Sequence, residues 1–306
     1  MATREWLLLI ILSIIWGGSF FFAEIALREL EPLTIVFGRV SIAALALLGF
    51  VRLSGKSMPW DMKSWRQFFI MGGLNNMIPF SLIVWGQSHI DSGLASVLNA
   101  TTPLFTLVLA HLLTADEKIT VNKGFGIAFA VIGVGVLIGP GALDGLDGQS
   151  WGKVAILGAA LSYGCAAIYG RRLKRHPHAV AATGMLVGSS VMMLPLMLIF
   201  ASPFATIPGP ATWAAVLTIA LLSTSVAYLL YFHILAKSGP TNLSLVTLLV
   251  PVSALLLGIF ILGERLSLNA LIGMGLIFTG LAAVDGRLFR KQNTAAKGDK
   301  RAAGET

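Results

Sequence analysis

The sequence is short of charge and nearly devoid of cysteine. Of 306 residues only 12% are Asp, Glu, Lys or Arg, about half the share of a soluble domain, roughly 25%. A water-exposed surface cannot be built from so few charges when 56% of the chain is hydrophobic. The solvent for most of that surface is therefore lipid, and the mean hydropathy of +0.83 agrees. The single cysteine, Cys165, excludes an internal disulfide and a thiolate metal cluster. The five histidines, His89, His111, His176, His178 and His233, lie near helix ends or in loops and show no ligand spacing. Without a nucleophile–base pair or a metal set, the sequence is not read as an enzyme, and no cofactor is expected. The net charge of +8 sits in loops between apolar runs, which argues for membrane orientation and against a nucleic-acid partner.

What is present is a series of apolar runs. They fall at about 6–27, 32–51, 67–89, 92–113, 121–139, 151–170, 179–201, 211–235, 241–262 and 268–284. A bilayer crossing takes roughly 20 such residues. The expected fold is an all-α integral membrane protein of ten transmembrane helices. The first run is too long for a typical signal-peptide core of about 7–15 residues and is read as a retained helix. With the N-terminus cytoplasmic, 18 Lys/Arg fall inside, three fall outside, and Arg39 lies within helix 2. That asymmetry puts both termini in the cytoplasm.

Shifted by 147 residues, the second half falls on the first. Glu117-Lys118-Ile119-Thr120-Val121-Asn122 matches Glu264-Arg265-Leu266-Ser267-Leu268-Asn269, Gly126 falls on Gly273, and Gly133 on Gly280. Trp16-Gly17 falls on Tyr163-Gly164, and with a slip of one, Ser96, Asn99 and Pro103 fall on Ser244, Thr247 and Pro251. Five helices per copy is an odd number, so the second copy enters the membrane from the opposite side. The expected organisation is a first repeat over 1–139, a linker at 140–150, an inverted repeat over 151–286 and a disordered basic tail over 287–306. Inverted repeats belong to transporters, with the site near the midplane between the halves.

These residues resemble the EamA family of the drug/metabolite transporter superfamily. The resemblance rests on Trp16-Gly17-Gly18-Ser19-Phe20 in helix 1, Arg39 in helix 2, and Pro103 with Glu117 repeated as Pro251 with Glu264. It covers nearly the whole chain. It implies export of small metabolites, amino acids foremost, from a bacterial inner membrane, with drugs, nucleobases or sugars as alternatives and a channel-like pore as a more distant one. It also implies a cavity lined by helices 1, 3, 4, 6, 8 and 9, with helices 5 and 10 peripheral.

The substrate-binding candidates follow from polar groups and rings at mid-helix depth. Asn75 and Asn76 are adjacent amides in helix 3, and Asn99 lies on a polar stripe of helix 4 with its repeat mate Thr247. Ser225 and Tyr228 come from helix 8, and Trp16, Phe20 and Tyr163 supply rings. Pro79, Pro103 and Pro251 break intrahelical bonds and are the hinge candidates. Glu24 and Arg39 are read as a structural ion pair, or Arg39 as bonded to backbone carbonyls, because a lone Arg at such depth costs at least about 2.5 kcal/mol; a gate or substrate contact is the alternative for Arg39. Glu24 is the only acid offered near the cavity, which leaves proton coupling doubtful. The expected partners are a small-molecule substrate and the bilayer, with the chain as a monomer.

Overall fold

A computed structural model describes residues 3–114, 118–139, 147–173, 175–202, 207–243 and 245–285. Glu117, Ser244, most of the linker and the basic tail lie outside these residues. All described elements are helical. Eight helices are long and apolar enough to cross a membrane: α1 Thr3–Leu27, α2 Pro32–Leu53, α3 Met62–Gln87, α4 Ser92–Leu113, α5 Val121–Ile138, α6 Gly148–Leu173, α7 His178–Phe200 and α8 Pro210–Gly239. Two shorter apolar helices follow, α9 Val246–Leu262 and α10 Leu268–Val284. The expected all-helical membrane fold is present, while α9 and α10 fall below the length of the other eight.

Local sequence explains the boundaries. Pro32 and Pro210 open α2 and α8 where a missing N–H costs nothing. Asp61 caps α3 by accepting from the Ser64 amide at 2.8 Å, and Asp147 caps α6 by accepting from the Ser150 amide at 2.7 Å. Gly263, in the left-handed region at φ 73°, stops α9.

The apolar side chains form two large clusters. One joins α1 to α3, α4, α5, α6, α8, α9 and α10; the other joins α1, α2, α3, α7 and α8. Tyr163 packs against both. The pair α5 and α10 forms a separate layer at the side of the bundle, reached by little else. Their backbones meet at four glycines: a Cβ on Gly126 would lie 2.6 Å from the Gly280 carbonyl, and one on Gly133 would lie 2.7 Å from the Gly273 carbonyl. Small residues at such crossings let lipid-embedded helices associate by close contact.

Three helices contain a π turn: Gly73–Met77 in α3, Leu221–Val226 in α8 and Gly258–Leu262 at the end of α9. In α3 the cause is local. Pro79 has no N–H, the ladder slips, and the Ile78 amide donates to the Gly73 carbonyl. In α8 the hydroxyls of Thr224 and Ser225 donate to the carbonyls five residues back, Ile219 at 2.9 Å and Ala220 at 3.0 Å.

The three hinge prolines behave differently. Pro79 follows directly on the π turn of α3. At Pro103, α4 divides into Ser92–Asn99 and Thr102–Leu113, and the Asn99 carbonyl is satisfied by the Thr102 hydroxyl at 2.7 Å. At Pro251, by contrast, the helix Val246–Leu257 runs through without a break. Pro103 and Pro251 are therefore not equivalent devices in this conformation.

Candidate functional site

The π turn of α3 carries the main buried polar network, which reaches α8 at Tyr228, two residues past the π turn of that helix. The Tyr228 hydroxyl donates to Asn76 Oδ1 at 2.7 Å and accepts from Asn75 Nδ2 at 3.0 Å. Asn76 is fully buried, and its Nδ2 donates to the Ser189 hydroxyl on α7 at 3.1 Å. Ser189 donates in turn to the Met185 carbonyl at 2.6 Å. Four helices are thus represented in the network or beside it, because Ser162 of α6 donates to the Leu74 carbonyl at 2.8 Å. Asn75 keeps accessible surface, as do Tyr163 and Tyr228. Polar groups at this depth need partners in protein or in a wet cavity. π turns recur where helices serve a function.

Arg39 stands beside this network. It is 8% exposed, its Nε donates to the Thr224 hydroxyl at 3.0 Å, and its guanidinium carbon lies 3.6 Å above the centroid of Phe80. The ionisable groups that act on its charge are the phenols of Tyr163 and Tyr228. The expected ion pair with Glu24 is not made, and no described carboxylate bonds Arg39. Glu24 instead belongs to a separate acidic group with Asp91 and Glu264, near Gln87. The Phe80 face and the Thr224 hydroxyl stand where a counter-ion was expected. A cation over an aromatic face gains about 0.5–2 kcal/mol, which offsets only part of the cost of burying the charge.

At one end of the bundle a carboxylate ties the turn after α9 to the start of α4. Glu264, in the turn after α9, accepts from the Ser92 amide at 2.9 Å, the Ser92 hydroxyl at 2.5 Å and the Gly93 amide at 3.0 Å. It thereby caps α4, where a negative charge meets unpaired N–H groups and the positive end of the helix dipole. Partial burial, and then the Glu264 charge, hold the neighbouring Asp91 carboxyl above its ordinary range. On the same end the Gln87 side chain donates to the Phe20 carbonyl at 2.9 Å.

Rings occupy the space on the other side of the network. Trp16 and Tyr231 lie 5.7 Å apart, Tyr231 meets Phe232 edge-on at 5.3 Å, and Phe232 stacks on His178 at 4.6 Å.

The remaining candidates sort by contact. Asn75, Asn76 and Tyr228 are brought together, with Tyr163 beside Arg39. Ser225 is 5% exposed and spends its hydroxyl on backbone carbonyls, so its contacts hold α8. Phe20 is buried in the first cluster. Trp16 and Thr247 are half-buried. Asn99 Oδ1 is enclosed without a hydrogen-bond partner beside the break in α4. Four contributors escaped sequence reading. Ser189 and Phe80 sit inconspicuously in apolar runs. The π turn of α3 was signalled only by Pro79, and that of α8 by its Ser-Thr-Ser run. No group of three potential metal ligands occurs among the described residues.

Comparison with known proteins matches this arrangement to transporters. The chain is 27% identical over 275 residues to the uncharacterized transporter YoaV of Bacillus subtilis, covering 89% of this chain and 94% of that one. It is 26% identical to the uncharacterized inner membrane transporter YedA of Escherichia coli K12, covering 89% and 88%. A "probable amino-acid metabolite efflux pump" of the same strain is 25% identical, covering 92% and 94%. One solved crystal structure shares the fold with a TM-score of 0.66 at 17% identity, over 93% of this chain and 98% of that chain. The pattern of the EamA-like transporter family matches twice, over residues 3–139 and 150–284. Since one family pattern accounts for both halves, the chain belongs to the EamA-like transporter family and is an integral-membrane transporter.

Proposed function

We propose that this chain exports small amphipathic metabolites, amino acids foremost, across a bacterial inner membrane by alternating access around the Asn75–Asn76–Tyr228 network. The observation that carries the reading is the pairing of π turns. The turn at Gly73–Met77 and the turn beginning at Leu221 stand 148 residues apart, the same spacing that relates Asn99 to Thr247. Equivalent helices of two halves thus present irregular, polar backbone to one central space. Broken helices meeting at the midplane are how transporters build substrate sites.

The helix contacts support two inverted five-helix halves, over 1–139 and 151–286. Exchanging α1 with α6, α2 with α7, α3 with α8, α4 with α9 and α5 with α10 turns the observed neighbours into one another. The α1–α9 contact becomes α6–α4, α3–α6 becomes α8–α1, and α3–α7 becomes α8–α2, all of which occur. The glycine contacts 126–280 and 133–273 exchange in the same way. The lopsided distribution of Lys and Arg supports cytoplasmic termini. The Glu264 cap would then close the outer end, leaving the ring-lined side toward the cytoplasm. The unit of function is a monomer in the bilayer.

Everted membrane vesicles test the reading. Labelled amino acids should accumulate in vesicles containing the protein with saturable kinetics, and Tyr228→Phe should lower the rate. A panel of amino acids that moves no faster than in empty vesicles would remove amino-acid export.

A further inference from the structure

We infer that Arg39 is a carboxylate subsite of the transport cavity, so that the exported solute presents a carboxylate group to it. This deepens the reading of the central network as the transport site and rests on it. A guanidinium carries five N–H donors in one plane. In Arg39 the Nε–H is committed to Thr224 at 3.0 Å. The four donors on the two Nη atoms have no described protein partner. Neither Nη is among the enclosed unpartnered atoms, unlike Glu24 Oε2, Gln87 Oε1 and Asn99 Oδ1. The Nη edge therefore keeps some accessible surface although the residue as a whole is buried. One face of the guanidinium is covered by Phe80 at 3.6 Å, and Thr224 fixes its rotation.

What remains free is the end-on fork of Nη1 and Nη2. That fork matches the two oxygens of a planar carboxylate, which it binds by two parallel charge-assisted hydrogen bonds. Among the described residues no carboxylate bonds it, and the ionisable groups that act on its charge are the Tyr163 and Tyr228 phenols, neutral at physiological pH. A buried cation held in register, half covered and unpaired, selects for an anionic solute. It penalises an amide or ester of the same shape, because that molecule leaves the charge unpaired. Lysine would not replace it, since an ammonium on a flexible stem offers no fork.

The experiment uses the full chain in proteoliposomes with phenylalanine, phenylalaninamide and phenylalanine methyl ester, and the same series built on leucine. Counterflow gives the flux, and ligand-induced thermal shift in detergent gives binding. The expected wild-type result is a preference for the acid over the amide and ester of roughly 10- to 100-fold, the range of a charged hydrogen-bonded contact. Arg39→Gln should bring the acid-to-amide ratio to about one, and Arg39→Lys should fall between. Elution profile and ligand-free Tm report folding; if Arg39→Gln does not fold, the wild-type ratio and Arg39→Lys still decide. Equal handling of acid, amide and ester by the wild type, or an unchanged ratio in a folded Arg39 variant, overturns the carboxylate subsite and leaves the reading of the central network as an amino-acid transport site standing. No saturable flux and no binding for any of the six compounds overturns both.

Discussion

Hydrogen bonds that each serve two helices decide which residues matter here. Tyr228 joins α8 to both asparagines of α3. Its removal as Tyr228→Phe takes the donor from Asn76 Oδ1 and the acceptor from Asn75 while keeping the ring. An unsatisfied buried polar group costs about 1–3 kcal/mol, so Tyr228→Phe should lower the melting temperature in detergent, and flux should fall with it. Ser225→Ala is the contrast. That hydroxyl bonds only backbone carbonyls at 3.0 and 3.4 Å, so stability should change by less than about 1.5 kcal/mol and the substrate preference should not move. If Ser225→Ala alters the preference while Tyr228→Phe leaves it and stability untouched, the assignment of roles is reversed. The asparagines and Tyr228 were legible in the sequence because amides and a phenol in an apolar run need partners. The partner of Arg39 was not. A buried Arg suggests a carboxylate, and nothing in the sequence says that Thr224 and Phe80 stand there instead.

At the scale of helices, the proposed alternation would turn on the contacts at their ends. Glu264 holds the start of α4 through three contacts from Ser92 and Gly93. Glu264→Ala removes a charge at a helix N-terminus, worth about 0.5–2 kcal/mol as a cap, and should shift the protein away from the conformation closed at that end. A cysteine introduced as Leu94→Cys, with Cys165→Ser, should then label faster from that side with a membrane-impermeant maleimide. Unchanged labelling would mean that the cap supports α4 without gating it. The sequence indicated breaks at Pro79 and Pro103, because a missing N–H is local information. It did not indicate that α9 passes straight through Pro251. Whether a proline kinks or is absorbed depends on neighbours that re-satisfy the carbonyl, and those neighbours come from other helices. The π turn of α8 has no proline and depends on the hydroxyls of Thr224 and Ser225, a use of Ser and Thr that resembles ordinary packing when read along one strand of sequence.

At the scale of the molecule, the long apolar runs and their spacing predicted the helices to within a few residues, since the bilayer fixes element length. The shortness of α9 and α10 lay beyond that rule. The α5–α10 layer rests on glycine contacts that admit no side chain. Gly133→Leu should therefore separate the two helices and lower the yield of folded protein, measured as monodisperse material after extraction, while Gly135→Leu, with open space around it, should not. Orientation is checked by a reporter fused after Thr306, expected to be active only when cytoplasmic. The central claim is that a solute site between two halves opens to one side at a time. Trans-stimulation measures this directly: proteoliposomes preloaded with unlabelled amino acid are diluted into trace labelled amino acid, and uptake is followed in time. Alternating access predicts a transient accumulation of label above its equilibrium level, absent from vesicles that were not preloaded. Label that approaches equilibrium at one rate, independent of the preload and linear in concentration, would contradict it.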